Sequence, residues 1–223
     1  MNRIFNIWIL IFTVLTFPVA IAVGNNLDFS LFGLKIRGEE FEYTEVVFTI
    51  SAGIIFLLSA LRSSKKWLGM RVVQQVKRFK FNSTISETRK NRVLLYNIIE
   101  IIFFSIFAAG LLYFTSSSIY VVLVFVIVII DSLINTILGT TAKRYRIGIT
   151  SKAIVMADRE TKAIYFKGLK KISKHQQTLY FEYVNGLVLH FPTDLLPEDE
   201  WNDFVSTLQS QVSPDKVYYT GFS

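Results

Sequence analysis

Four blocks of apolar sequence restrict the fold of this 223-residue chain more than any other feature. They cover residues 4–23, 45–61, 93–114 and 119–139. A helix of about 20 mainly apolar residues crosses the hydrocarbon core of a bilayer, and the second block is close to the shortest length that does so. Hydrophobic residues make up 52% of the chain, above the roughly 45–50% of soluble domains. The blocks predict four transmembrane helices.

The charges around the blocks predict their orientation. Residues 62–92 contain ten Lys and Arg but one acid, Glu87, and basic loops of this kind stay in the cytoplasm. The loop between the first two blocks is mainly acidic, whereas basic residues precede the first block and follow the fourth (Arg3, Lys143, Arg144 and Arg146). We therefore expect a multi-pass protein with four spans and with cytoplasmic N- and C-termini.

The first block admits a second interpretation. Arg3, the apolar stretch and the small residues Ala20 and Ala22 are also typical of a secretory signal peptide with its cleavage site. The apolar run of 20 residues is longer than the usual signal core of about 7–15 residues, which favours an uncleaved helix. Cleavage after residue 22 would leave three spans, with the C-terminus on the same side of the membrane.

Acidic residues interrupt two of the blocks. Glu100 lies in the third block and Asp131 in the fourth, and the uncharged turn at residues 115–118 makes these blocks a helical hairpin. The two acids are then at matching depth, and Asn97 and Asn135 each lie about one helical turn from an acid. Ser132 neighbours Asp131. The sequence predicts an intramembrane polar cluster of Asn97, Glu100, Asp131, Ser132 and Asn135.

Three roles are open for this cluster. Two carboxylates at one level in a low dielectric are expected to share a proton, because both cannot be ionised cheaply. Intramembrane acids form proton relays or cation sites, but polar side chains also join helices by contacts of about 0.6–2 kcal/mol each. The third role is a contact with another subunit, and a homo-oligomer would also supply the room for a transport path that one hairpin lacks.

Within the basic loop, residues 65–81 read KKWLGMRVVQQVKRFKF and predict an amphipathic helix, with Leu68, Val72, Val76 and Phe79 on one stripe. Such a helix beside a span is expected to lie on the anionic inner leaflet, where each Lys or Arg contributes about 1 kcal/mol. The predicted lipid-binding side chains are Lys65, Lys66, Arg71, Lys77, Arg78 and Lys80. Nucleic acid is not the expected partner, because no base-reading motif accompanies the charge. A capping-box pattern at residues 84–87 predicts that the third helix begins near Ile85.

After residue 142 the pattern changes to short alternating strands, at residues 145–150, 153–157, 163–167, 171–173, 178–184 and 187–191. Asn185 and Gly186 join the last two strands as a hairpin. An acidic start at residues 198–200 then precedes a helical apolar stripe of Trp201, Phe204, Val205, Leu208 and Val212. The pattern predicts a curled antiparallel sheet closed by one C-terminal helix.

The segments TSKAIVM, LVLHFP and TDLLPEDEWNDFVSTL occur in an order that resembles the bacterial pleckstrin-homology-like domains of the YcxB type, which follow membrane helices. The chain departs from the simplest members of that family in having four predicted spans rather than two. The resemblance implies a cytosolic sheet–helix domain without catalysis. We therefore expect an α-helical membrane domain over residues 1–142, a pleckstrin-homology-like α+β domain over residues 143–215, and a tail of residues 216–223.

The sequence carries no recognised catalytic motif. It has no cysteine, two histidines, no phosphate-binding glycine loop, and neither GxSxG nor HExxH, so we expect no enzyme activity, metal or cofactor. The sequence instead favours an interaction or regulatory role at the membrane, with an unidentified protein partner. One alternative is a proton- or cation-coupled membrane unit that uses Glu100 and Asp131. The other is an immunity protein that protects against a membrane-acting toxin.

Overall fold

The computed structural model describes residues 2–25, 29–31, 34–36, 43–212 and 217–221, which form five α-helices and ten β-strands. The chain divides into two compact units. The helical unit comprises Met1–Ser64 and Tyr96–Asn135, and the sheet unit comprises Lys65–Leu95 and Thr136–Ser223. The protein therefore combines long apolar helices with a separate antiparallel sheet region.

Four helices in the described part of the chain are long and apolar enough to cross a membrane. They are α1 (Asn2–Gly24), α2 (Thr44–Val73), α3 (Glu87–Phe114) and α4 (Ile119–Thr140). The four predicted apolar helices are confirmed. However, α2 has 30 residues and is therefore about 45 Å long, well beyond both the predicted block and the roughly 30 Å hydrocarbon core of a bilayer.

A short antiparallel ribbon, β1 (Phe29–Leu31) and β2 (Leu34–Ile36), lies between α1 and α2 in the chain. Most of the acidic residues in this loop, which contribute to the predicted orientation, lie outside the described residues.

Aromatic and small side chains pack the helical unit. Phe48, Leu111 and Phe125 are fully buried, and Ala52 and Ala108 lie in the same cluster. Small residues allow helix backbones to approach closely, which favours association where lipid weakens the hydrophobic effect. The helices are thus held by direct side-chain packing.

The sheet unit contains two four-stranded sheets. The first has the order β3 (Phe81–Thr84), β4 (Arg146–Ile149), β5 (Ala153–Ala157) and β6 (Thr161–Tyr165), all antiparallel. The second comprises β7 (Leu169–His175), β8 (Thr178–Tyr183) and β9 (Val188–Pro192), and β10 (Tyr218–Thr220) pairs in parallel with β7. The predicted antiparallel strands are confirmed, but they form two sheets rather than the single curled sheet that was predicted, and β3 and β10 are additions.

The predicted C-terminal helix is also confirmed as α5 (Trp201–Gln211). Phe204 and Leu208 are fully buried in the core of the sheet unit. The ring of Phe204 stacks on that of Phe191 from β9 at 5.1 Å between centroids. The amphipathic stripe therefore closes the sheet as its spacing predicts.

The local signal at one turn is also confirmed. Gly186 has φ +82, and the backbone N–H of Leu187 donates to Asn185 Oδ1 at 3.1 Å, so these residues turn the β8–β9 hairpin.

The capping box predicted at residues 84–87 is not formed, because Thr84 is the last residue of β3. The cap of α3 is instead Ser86, whose Oγ accepts a hydrogen bond from the backbone N–H of Arg89 at 3.1 Å. The helix therefore begins at Glu87, two residues after its predicted start.

The helix predicted over residues 65–81 is wrong in its second half. The α2 helix ends at Val73, a 3-10 turn follows at Val76–Arg78, and the chain then enters β3. The side-chain amide of Asn82 donates to the carbonyl oxygen of Val73 at 2.8 Å, which satisfies one terminal group of the helix. All four residues of β3 pair with residues of β4. This long-range pairing therefore outweighs the helical period of the local sequence.

The tail predicted over residues 216–223 contains β10. The hydroxyl of Tyr219 donates to the carbonyl oxygen of Val212 at 2.7 Å, and burial raises the pKa of Tyr219 to about 12. This bond links β10 to the residue that follows α5.

Two glycines of α2 provide a matched test of the packing. A Cβ at Gly69 would overlap the side chain of Thr161 on β6, whereas a Cβ at Gly53 would meet nothing within 4 Å. We expect Gly69→Ala to lower the free energy of unfolding by about 1–3 kcal/mol through overpacking. Gly53→Ala should leave it almost unchanged. Unfolding of the full chain in detergent measures both, and equal stability of the two variants would contradict the packing of α2 on β6.

Candidate functional site

The predicted polar cluster is built around an ion pair in the helical unit. The guanidinium of Arg62 on α2 donates to Glu100 on α3 through two bonds, from Nη1 to Oε1 at 2.6 Å and from Nη2 to Oε2 at 2.7 Å. Each side chain is only 10% exposed. Two parallel charge-assisted bonds of this kind are both strong and geometrically specific. Both carboxylate oxygens of Glu100 are therefore bonded to the guanidinium of Arg62.

Asp131 on α4 also has a partner on α2. The hydroxyl of Ser63 donates to Asp131 Oδ1 at 2.7 Å. Asn97, Ser132 and Asn135 are buried, and each lies within about one helical turn of one of the two acids. We call these five predicted residues, with Arg62 and Ser63, the polar layer. It connects α2 to both α3 and α4.

Sequence reasoning missed the contribution of α2. Arg62 and Ser63 follow the predicted second span, which ends at residue 61, and both were therefore assigned to the basic loop. The available signal was the spacing of Ser59, Arg62 and Ser63, which places three polar side chains on one face of a helix. Only the extra length of α2 makes that face part of the helical unit.

The six predicted lipid-binding cations occupy different environments in the sheet unit. Arg71, Lys77, Arg78 and Lys80 are exposed, and Lys65 is half-buried. Lys66 is only 6% exposed, so its assignment as a surface cation was wrong. On a helix, residue 66 shares a face with residues 70 and 73, and Met70 and Val73 lie in the core of the sheet unit. Lys66 is buried because its face of α2 is the packed face.

Three members of the apolar stripe that is predicted to contact lipid are exposed on this segment. Leu68, Val72 and Val76 are 60%, 44% and 52% exposed. Phe79, the fourth predicted member of the stripe, instead packs against the core. We define the basic apolar face as Leu68, Val72 and Val76 together with the exposed cations Arg71, Lys77 and Arg78.

Other cations of the basic loop form ion pairs within the sheet unit. Arg89 donates from Nη2 to Asp158 Oδ2 at 2.6 Å and from Nε to the same oxygen at 2.9 Å. Arg92 donates from Nη1 to Asp194 Oδ2 at 2.7 Å. These pairs attach the first turns of α3 to the sheet unit, so part of the loop's positive charge has a structural use.

An open cleft of about 600 Å³ also lies in the sheet unit, beside the start of α3. Its lining includes Arg92 and Lys174 as well as Glu87, Asp194 and Glu198. The ammonium of Lys174 lies 4.9 Å from the centroid of the Trp201 ring, in a cation–π contact. Because the lining carries both signs of charge, it selects no single class of ligand. Among the described residues, no group of three or more His, Cys, Asp or Glu side chains is arranged to hold a metal ion.

Comparison of the chain with protein-family models, with curated proteins and with solved structures finds no match. The resemblance to pleckstrin-homology-like domains of the YcxB type therefore rests on the order of elements and on the sequence pattern.

The ion pair gives a direct prediction for stability. Arg62→Met leaves Glu100 buried without its cation, and we expect a loss of about 3–5 kcal/mol in the free energy of unfolding. The double variant Arg62→Met/Glu100→Met removes both charges and should recover most of that loss. SDS-induced unfolding of the full chain in mixed micelles measures the free energy of unfolding of each variant in this double-mutant cycle.

The exposed Arg71 supplies the matched control for this cycle. Arg71→Met removes the same charge from a side chain in water and should change stability by no more than about 0.5 kcal/mol. A similar loss for Arg62→Met and Arg71→Met would mean that the Arg62–Glu100 pair has no structural role.

Proposed function

We propose that this chain is a multi-pass protein of the bacterial inner membrane whose cytosolic pleckstrin-homology-like module binds another protein at the membrane, without catalysis. The observation that carries the proposal is the basic apolar face of the sheet unit. Leu68, Val72 and Val76 are large apolar side chains, and they remain exposed among cations on a unit whose own core is already well packed. Contiguous exposed apolar side chains with a polar rim are typical of interaction sites.

The membrane assignment is supported by composition and charge. Four helices have the required length and hydropathy. The excess of Lys and Arg in residues 62–92 favours a cytoplasmic position for this loop and for the C-terminus. Anionic headgroups of the inner leaflet are the proposed contact of Lys65, which lies about one turn beyond the predicted end of the second span.

The pleckstrin-homology-like assignment is supported by the order of elements in the sheet unit. Antiparallel strands β4 to β9 follow one another in the chain and precede α5. The segments that carry the resemblance overlap β5, β9 and α5, and the buried stripe of α5 closes the sheet. A sheet closed by a C-terminal helix supports a binding module as the role of this unit.

Polar-layer geometry favours a structural role for the two intramembrane acids. Glu100 is held by both terminal nitrogens of Arg62, and Asp131 is bonded to Ser63. Interhelical hydrogen bonds of this type hold membrane helices together. Helix association is therefore the role that we propose for the two acids.

Two measurements test the proposed function together. A reporter fused after Ser223 should be active only in the cytoplasm. The full chain, extracted from cells in native nanodiscs at its natural expression level, should carry a second protein in near-stoichiometric amount, as judged by quantitative mass spectrometry. An unrelated four-span protein extracted in the same way controls for nonspecific capture. Recovery of the chain alone, or a reporter active only outside the cell, would contradict the proposal.

A proton- or cation-coupled membrane unit is the second candidate function, because Asp131 is an acid within a candidate span. Its carboxylate accepts a hydrogen bond from the hydroxyl group of Ser63. We expect proteoliposomes with the full chain to hold an imposed pH gradient as well as protein-free liposomes do. Asp131→Asn is the informative variant, since its amide oxygen still accepts from Ser63 but cannot carry a proton. Glu100→Gln is less informative because it also breaks the pair with Arg62. A proton leak in the unsubstituted protein that Asp131→Asn abolishes would favour coupling.

A further inference from the structure

The segment of α2 after residue 64 is apolar on two sides. One side, with Met70 and Val73, lies in the core of the sheet unit. The other side exposes Leu68 and Val72, which lie four residues apart on one face of α2. Val76 is exposed in the 3-10 turn that follows the helix, and we call these three side chains the row. A surface helix normally needs only one apolar stripe, so the fold does not explain the second.

The charge around the row indicates what kind of protein covers it. Residues 62–86 contain no Asp or Glu, and Arg71, Lys77 and Arg78 are exposed beside the apolar side chains. The same face of a second copy would bring like charges together, which is unfavourable. A helix with an apolar stripe and acidic flanks would match both the row and its cations, as in helix-to-groove recognition, where anchors recur at i, i+4 and i+7.

We infer that the basic apolar face is the docking site for an acidic amphipathic helix of another protein. Apolar side chains of that helix cover Leu68, Val72 and Val76, and its carboxylates pair with Arg71, Lys77 and Arg78. The inference rests on the proposed function and names the class of partner and the surface that binds it.

Photo-crosslinking in intact cells tests the inference on the full chain. Benzoylphenylalanine replaces Leu68, and the same amino acid at Val184 serves as the matched control. Val184 is 75% exposed on the β8–β9 hairpin of the same unit. We expect the probe at position 68 to give a protein adduct that the probe at position 184 does not give. Peptide mapping should place the crosslink in a helical segment in which Asp and Glu outnumber Lys and Arg.

Charge reversal adds a second measurement. In the chain that carries the probe at position 68, the triple variant Arg71→Glu/Lys77→Glu/Arg78→Glu should reduce the yield of the adduct by about tenfold or more. The reason is that repulsion replaces three ion pairs at the rim of the interface. Lys152→Glu/Lys167→Glu/Lys170→Glu changes the charge equally at other exposed positions and should leave the adduct intact. Membrane extraction and the thermal unfolding temperature of each variant report whether it is folded.

Other outcomes overturn the inference. One is an adduct with lipid alone, with a second copy of this chain or with a segment that lacks an acidic excess. Another is a yield of adduct at position 68 that is no higher than the yield at position 184. If native nanodiscs still carry a partner protein in that case, the proposed function stands and only its assigned surface is wrong.

Discussion

A carboxylate inside an apolar helical bundle requires a partner, and Arg62 supplies one to Glu100. An isolated charge in such surroundings costs several kcal/mol. Two short bonds from one guanidinium to both carboxylate oxygens reduce that cost and admit only one geometry. Because Arg62 is on α2 and Glu100 on α3, the pair determines which faces of these helices meet. The bond from Ser63 to Asp131 does the same for α2 and α4.

The same helix, α2, also explains why the loop after it is not a linker. Its last turns bury Met70 and Val73 in the sheet unit, and the chain then forms β3. Strand β3 pairs with β4 although α3 and α4 lie between them in the sequence. The helical hairpin is therefore an insertion between two adjacent strands of one sheet. Residues 65–95 and the C-terminal strands thus fold as one unit.

This arrangement leaves an apolar row on α2 with cations beside it, and the proposed binding role follows from that surface. A basic loop has two common uses, as a determinant of orientation and as a lipid contact. In this chain part of the charge is used in ion pairs, with Arg62, Arg89 and Arg92 each bound to a carboxylate. The cations that remain exposed flank Leu68, Val72 and Val76, and together they form a surface with both an apolar and an electrostatic preference.

The sequence by itself determined the elements whose burial follows a local period. Four apolar blocks predicted the four long helices, the pair Asn185 and Gly186 predicted the β8–β9 turn, and the stripe through Phe204 and Leu208 predicted α5. Periodicity shows that a face will be buried, but it does not show what buries it. Only the tertiary structure decided that Lys66 is packed while Leu68 is exposed, that residues 81–84 pair as a strand, and that Arg62 binds Glu100. Each of these depends on a contact between residues distant in the chain, and no local spacing records such a contact.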